Sequence, residues 1–289
     1  MATIKVKSKD NKMKKILVPC DFSDSAVQAF KFAVEVANQS KGEVLLLNVV
    51  ELPVIHENVM MPTFSFEDTF LNEMKERADK DFTKMKTKWA KDGPKVSTFV
   101  EYGAPTPTIS QFVDKKKVDL IVMGTKGASG LKEFFVGSNT EKIVRWSPVP
   151  VISIKKSVKA SSIKNIVFPS TLHDDEEELT MRVKALQAFF KAKLHIVNIN
   201  TPANFRTDVV TRQRMKDFAK RFMLKDYTLN VYNDLNEELG VANFIKEVNG
   251  DMVAMATHGR KGLNHLMSGS IAEDVVNHIE CPIWTCKTT

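Results

Sequence analysis

The sequence predicts an α/β fold in which two doubly wound, open parallel sheets follow one another along the chain. Its 289 residues suit two domains rather than one. An internal repeat supports this division, because residues 14–23 match residues 164–173, and residues 118–144 match residues 250–276. Each half alternates short apolar runs with amphipathic stretches, which is typical of parallel strands covered by helices on both faces.

The hydrophobic pattern of the first half predicts five strands and four helices. The strands are continuous apolar runs, and the helices show apolar residues three and four positions apart, as at Ala26, Phe30, Ala33 and Ala37. The predicted strands are Ile16–Pro19, Val44–Val50, Val96–Val100, Leu120–Met123 and Val149–Ile154, and the predicted helices are Ser23–Gln39, Phe66–Ala90, Pro105–Lys116 and Ser138–Trp146.

A small, polar segment, Lys155–Ser162, is a natural linker between the halves. It places the domain boundaries at residues 1–156 and 157–289. The final strands of the two halves would both be sheet edges with unpaired backbone groups, so we expect them to pair with each other as a pseudo-dimer within one chain.

The first half carries a long connection after its second strand. The repeat offset falls from 150 to 132 between the second and third strands, so the first half is 18 residues longer there. The extra residues are expected chiefly in Glu51–Glu67, which is rich in Val, Met and Phe. It either folds over a ligand as a lid or packs against the second half or another subunit; apolar loop side chains favour packing, which leaves a homodimer open.

Composition excludes several classes of protein. The chain is 43% hydrophobic and 27% charged, it begins without an apolar signal segment, and its longest apolar runs are too short to cross a bilayer. Its three cysteines show no CxxC spacing, which argues against a disulfide framework or a zinc site and indicates a cytoplasmic protein. The net charge of +7 has no accompanying nucleic-acid motif, so we interpret it as lysine on solvated helix faces.

The strongest local signal is a glycine pattern after the fourth strand. Gly124-Thr-Lys-Gly127 is followed nine residues later by Gly137-Ser138-Asn139-Thr140, directly before a predicted helix. Such glycines expose backbone N–H groups, and Ser138 as N-cap would aim the helix dipole at the same point, which suits a phosphate chain. Taken alone, the glycines could equally be present only because the turns of the loop require them.

A carboxylate at the same predicted edge strengthens the phosphate interpretation. Asp21 follows the first strand, which neighbours the fourth at the switch point of such a sheet, and it could accept hydrogen bonds from a ribose hydroxyl or a base amino group. Asp21 and Ser23 could instead only cap the first helix. The chain contains no GxxxxGK[ST], GxGxxG, GxSxG or HExxH motif, so no catalytic machinery is visible.

The pattern G-x2-G-x9-G-[ST], with Asp21 in a V-P-x-D-F-S context and a final V-P-V strand, resembles the universal stress proteins of the UspA type. The resemblance implies a tandem member with the adenine nucleotide alpha hydrolase-like strand order 3-2-1-4-5. It implies ATP binding, with adenine near Asp21 and Val49, and, where members bind ATP, often a bridging cation such as Mg²⁺ or Mn²⁺. It places the phosphates on Gly127, Gly137, Ser138 and Asn139, and matches Pro19, Cys20, Met123, Gly124, Lys126 and Thr140 to cleft-lining positions.

The second half departs from this pattern. Thr171 stands where Asp21 does, and Ala256 replaces Gly124, where the backbone needs either a positive φ or close approach by the ligand. The acidic run Asp174–Glu178 either repels phosphate or complements a helix dipole. We therefore expect ATP in the first half only, although Gly259, Gly269 and Ser270 remain in the second.

Three functions fit these observations. The leading one is an ATP-binding stress-response or signalling protein without turnover. A slow ATPase is the second, weakened because the motif contains no general base or phosphate-clamping arginine. A protein-interaction module without nucleotide is the third, and the retention of Asp21 with every glycine of the first half argues against it.

Overall fold

The structure is a computed structural model that describes residues 13–51, 63–125, 137–257 and 279–288. Ten strands and seven α-helices lie in these ranges. The strands are β1 (Lys15–Pro19), β2 (Glu43–Val50), β3 (Lys95–Tyr102), β4 (Leu120–Gly124), β5 (Val151–Ile154), β6 (Asn165–Pro169), β7 (Lys193–Asn200), β8 (Tyr227–Asn233), β9 (Met252–Thr257) and β10 (Ile283–Lys287). The helices are α1 (Asp24–Ser40), α2 (Thr63–Trp89), α3 (Pro105–Lys116), α4 (Ser138–Trp146), α5 (Glu177–Phe190), α6 (Asp208–Arg221) and α7 (Glu237–Glu247).

The strands form one sheet in the order β3-β2-β1-β4-β5-β10-β9-β6-β7-β8. Within each half the order is 3-2-1-4-5 and every pairing is parallel. The predicted doubly wound fold and its duplication are confirmed. The extra Glu51–Glu67 connection lies mostly outside the described residues, so its role as a lid or a packing surface stays a prediction.

The two halves join through their fifth strands. β5 pairs with β10 antiparallel, with Trp284 opposite Ile152 and Ile283 opposite Ser153. This pairing satisfies both edges, as the sequence predicted. β5 begins two residues later than predicted because Pro150 has no N–H and Val149 is held in a turn by the Ser147 hydroxyl, which accepts from its N–H at 3.2 Å.

Side chains alternate along the strands and build apolar layers on both faces of the sheet. On one face, a single cluster runs through both halves beneath α1, α2, α5 and α6. On the other face each half has its own cluster, one packed against α3 and α4 and one against α7. None of the described helices combines the length and the apolar character needed to cross a membrane.

The predicted linker is packed rather than free. Ala160–Ser162 forms a 3-10 turn, Ala160 is buried, and its N–H donates to the Glu35 carboxylate of α1 at 2.7 Å. The Gln39 side-chain amide donates to the carbonyl oxygen of Phe189, and the rings of Phe32 and Phe190 lie 6.4 Å apart. The polar composition of Lys155–Ser162 does not predict this packing, because the contacts of the segment are made by its backbone and by Ala160.

Replacing Phe190 with alanine should lower the free energy of unfolding by about 3 kcal/mol, because a buried ring that packs between the halves leaves a cavity. Urea denaturation followed by circular dichroism measures this loss. Met223→Ala, at a side chain that is 71% exposed, is the control and should change stability by less than about 0.5 kcal/mol. Equal losses in the two variants would contradict the shared core.

Candidate functional site

The first cleft lies beyond the carboxyl ends of β1 and β4, which are neighbours in the sheet. Asp21 is exposed there, directly after β1. Its Oδ1 accepts from the Ser23 N–H at 3.1 Å and the Ser23 hydroxyl at 2.5 Å, while the Ser23 hydroxyl oxygen accepts from the Ala26 N–H at 3.3 Å as the N-cap of α1. Asp21 therefore orders the capping turn and leaves an exposed carboxylate at the edge, and its contact with a nucleotide stays a prediction.

Cys20 is anchored at the cleft by its backbone alone. Its N–H donates to the Leu47 carbonyl and its carbonyl accepts from the Asn48 amide, both at 2.8 Å. The side chain lies on the opposite face, where Sγ is 3.8 Å from the sulfur of Met85 in α2. Burial raises the pKa of the Cys20 thiol to about 12, so it is neutral at physiological pH.

The apolar part of the first cleft lies on the other side of the sheet. Met123 is buried in the cluster beneath α3 and α4, and Val49 packs against the same cluster. Pro19, half-buried, ends β1 beside them. These positions lie on one face of the sheet, and their contact with a nucleotide stays a prediction.

Gly124 lies where α1 approaches β4 closely, and its predicted place in the cleft stays a prediction. A Cβ atom there would lie 2.6 Å from the Ser25 carbonyl carbon and hydroxyl oxygen of α1. The glycine therefore lets α1 approach β4 closely, and the described Gly124 backbone has no positive φ. In the second half, where Ala256 takes its place, α5 starts at Glu177, three residues beyond the position equivalent to Asp24, after a 3-10 turn at Asp174–Glu176.

The amino end of α4 closes the described part of the first cleft. Gly137, not Ser138, is the N-cap, with φ −60° and ψ 141°, and the predicted Ser138 cap is wrong because the helix begins at Ser138 itself, one residue earlier than that cap requires. A glycine cap has no side chain to accept from the N–H groups of Ser138, Asn139 and Thr140, and no side chain among the described residues caps this end of the helix. The Thr140 hydroxyl donates to the Gly124 carbonyl at 2.9 Å and ties α4 to β4.

A buried hydroxyl lies between β4 and α4. Thr125 is 2% exposed, and its Oγ1 has no hydrogen-bond partner among the described residues. Its carbonyl accepts from the Gly137 N–H at 2.7 Å, which holds it beside the amino end of α4. Gly127, a predicted phosphate contact, and Lys126, a predicted cleft-lining position, lie outside the described residues. Within the described ranges no group of three His, Cys, Asp or Glu side chains could hold a metal ion.

The corresponding turn of the second half has been rebuilt around Glu176, which sequence reasoning missed. Glu176 is 7% exposed; its carboxylate accepts from the Thr171 N–H at 2.9 Å, the Thr171 hydroxyl at 2.5 Å, and the Ser170 hydroxyl. Burial raises the pKa of the Glu176 carboxyl against the lowering effect of these hydrogen bonds. The sequence does contain a signal for this rebuilt turn. At the two repeat positions where the first half has Asp21 and Ala26, the second half has Thr171 and Glu176, so the carboxylate has moved five residues along the chain.

A second cleft lies at the carboxyl ends of β6 and β7, against the first turn of α7. Its floor is apolar and its upper wall is polar. The residues that line it are Pro169, Ser170, Thr171, His173, Val197, Asn198, Ile199, Asn204, Arg206, Glu237, Val241 and Met255.

The fold and the first cleft define a class: a duplicated, doubly wound α/β protein with a helix amino end and a carboxylate at the switch point of its first half. The Universal stress protein family matches this chain over residues 12–155 and 234–287. The matched segments cover more than half of the chain and fall in both halves. The chain belongs to the universal stress protein family.

Comparison with known proteins agrees with the duplication. Universal stress protein MJ0531 of Methanocaldococcus jannaschii is 33% identical over 154 residues, which are 53% of this chain and 89% of that protein. Universal stress protein YxiE of Bacillus subtilis is 30% identical over 145 residues, 49% of this chain and 98% of that protein. A universal stress protein structure from Archaeoglobus fulgidus matches the fold, with a TM-score of 0.73, 19% identity, and coverage of 96% and 97% of the two chains.

Gly124→Ala should destabilise the protein by about 2–3 kcal/mol, because the added methyl group overlaps the first turn of α1. The matched control is the reverse change, Ala256→Gly, which should cost only about 1 kcal/mol. Chemical denaturation measures both. A Gly124→Ala loss no larger than that of the control would show that α1 is not held by this close approach.

Glu176→Gln should change the pH dependence of stability. The folded-state pKa of Glu176 is raised above its ordinary value of 4.5, so the stability it contributes is complete below that value and is lost as pH rises through the folded-state pKa. The wild type should therefore gain stability relative to Glu176→Gln as pH falls from about 8 towards about 4.5. Parallel pH profiles of the two unfolding free energies would contradict this assignment.

Proposed function

We propose that the N-terminal half binds ATP at the first cleft and that the protein acts in stress response or signalling through this occupancy rather than by turnover. The observation that carries the proposal is the convergence of Asp21, the uncapped amino end of α4 and the Thr125 hydroxyl at one switch point. Family membership and the glycine pattern, with Lys126 and Gly127, support it.

The described residues fit a nucleotide. Asp21 accepts hydrogen bonds and suits a ribose hydroxyl or a base amino group, whereas the partly buried Val49, backed by Met123 in the core, offers apolar surface to a base. The N–H groups of Ser138, Asn139 and Thr140 suit phosphate oxygens. Bound ATP would place the negative charge of its phosphates at the amino end of α4. A divalent cation would neutralise part of that charge.

The proposal also includes the domain boundaries and the cellular location. We assign the nucleotide domain to residues 1–156 and the second domain to residues 157–289, where Thr171 replaces the carboxylate and Glu176 consumes the donors of the turn. Cys20 and Cys286 are buried free thiols, which fits a reducing cytoplasm. The binding experiment is acid extraction of the purified protein followed by nucleotide chromatography, with phosphate release under magnesium as the assay for turnover.

Asp21→Ala should weaken ATP binding by about 1–3 kcal/mol, roughly 5- to 150-fold in Kd, because charge-assisted hydrogen bonds are lost. Isothermal titration calorimetry measures the affinity and the stoichiometry, which should be one ATP per chain. Thr171→Ala is the matched control in the second half and should leave both values unchanged. Two ATP molecules per chain, or equal affinity in the wild type and Asp21→Ala, would refute the assignment.

A further inference from the structure

A groove lies between the two halves, on the face of the sheet that α1 and α5 cover. It runs between the last turns of these helices, where the Gln39 side-chain amide donates to the Phe189 carbonyl oxygen. Its volume is about 680 Å³ and it opens to solvent, which is space enough for a linear ligand. None of its lining residues belongs to either of the two clefts described above.

The groove is built from equivalent positions of the internal repeat. Three pairs of residues that match at the repeat offset of 150 line it: Lys14 with Lys164, Gln39 with Phe189, and Ser40 with Phe190. The groove therefore lies where the pseudo-two-fold relation brings the two halves together. A ligand held there contacts both halves at once.

The charge on the walls of this groove has one sign. Its charged lining residues are Lys14, Lys164 and Lys191, and all three are exposed. No carboxylate lines it among the residues that the structure describes. The groove is thus positively charged and favours an anionic ligand.

The carboxylates next to these lysines are engaged with the backbone. Asp119 Oδ2 accepts from the Lys14 N–H at 3.0 Å, and Asp251 Oδ2 accepts from the Lys164 N–H at 2.9 Å. These bonds fix the backbone at the start of β1 and β6. Each ammonium group stands four carbons away from that backbone, and no ion pair joins either carboxylate to a lysine of the groove in the described ranges.

Lys14 and Lys164 are equivalent in the repeat but differ in what they contact. Lys14 Nζ donates to the carbonyl oxygens of Ser40 and Lys41, the latter at 3.3 Å, and so satisfies the carboxyl end of α1. Within the described part of the chain, the ammonium groups of Lys164 and Lys191 make no hydrogen bond or ion pair. Two positive charges of the groove are therefore left for a ligand.

We propose that the groove binds a linear polyanion of closely spaced phosphate groups, of the kind found in inorganic polyphosphate, which lies across the junction and pairs with Lys164 and Lys191. Lysine ammonium groups are compact point charges on flexible stems, so they suit a row of phosphates better than one shaped head group. The Ser161 hydroxyl, also in the lining, donates to a phosphate oxygen.

The lining favours a phosphate chain over nucleic acid. Single-stranded nucleic acid is held by stacking of its bases on aromatic rings and arginine. The described lining contains no arginine, Phe190 is buried, and Phe189 is partly buried with its ring packed edge-on against Phe190 at 5.0 Å. The groove therefore offers charge and hydroxyl donors without a stacking platform.

Titration of the 289-residue chain with sodium polyphosphate tests this proposal. Lys164→Gln/Lys191→Gln should weaken binding by about tenfold or more at low salt, because two charge-assisted contacts are lost. It should also reduce the slope of log K against log salt concentration by about 0.7 for each lysine removed. Lys216→Gln/Lys220→Gln, which removes two exposed lysines of α6 outside the groove, is the control of equal net charge and should change neither value.

Polyphosphate should also raise the midpoint of thermal unfolding of the wild type more than that of the groove variant, since the ligand binds the folded chain. Equal losses in the two double variants would overturn the proposal, because net charge alone would then explain binding. Equal affinity for poly-glutamate of the same total charge would overturn the choice of phosphate.

An equimolar amount of ATP should not release the polyphosphate, and its release would place the polyanion in the first cleft and overturn the proposal. ATP affinity, measured by calorimetry, should be the same in the wild type and both double variants. Absence of ATP binding in all three proteins would refute the nucleotide function alone, because the comparison of the lysine variants does not depend on it.

Discussion

The antiparallel pairing of β5 with β10 is the constraint on which the rest of the structure depends. Each half alone would end in an edge strand with free backbone donors and acceptors. By pairing these edges, the chain makes one ten-stranded sheet and one continuous apolar layer, in which Trp284 is fully buried opposite Ile152. The same antiparallel relation sends the two sets of strand carboxyl ends to opposite edges, which separates the two clefts.

Each half needs one carboxylate to order the turn after its first strand, and the halves supply it differently. The turn contains a non-glycine residue with positive φ in both halves, Phe22 at 62° and Leu172 at 61°. A left-handed residue of this kind costs about 1–2 kcal/mol and persists only when its surroundings hold it. In the first half the turn is held by the exposed carboxylate of Asp21, which lies at the cleft. In the second half it is held by the buried carboxylate of Glu176. The carboxylate is therefore exposed at the sheet edge in the first half and buried in the second.

The sequence predicted the fold well because the signals are local or repeated. Continuous apolar runs located the strands within two or three residues at each end, and the repeat gave the duplication. The prediction of Ser138 as N-cap was wrong, because local composition does not fix the first residue of a helix to within one position. Gly124 and Lys155–Ser162 were interpreted without their partners: the contact of Gly124 with Ser25 and that of Ala160 with Glu35 link residues far apart in sequence.

Arg206 illustrates what the repeat could not reveal about the second half. It lies in a loop after β7, where the two halves differ most in length, so no alignment of one half on the other gives it a counterpart. Its position at a cleft follows only from the hydrogen bonds that order this loop against Asn200. Because the shared core lies on the other face of the sheet, such loops can differ between the halves without loss of the packing that stabilises both. Duplication with a common core therefore leaves stability to β5, β10 and the joint apolar layer, and lets the turns at the two edges diverge.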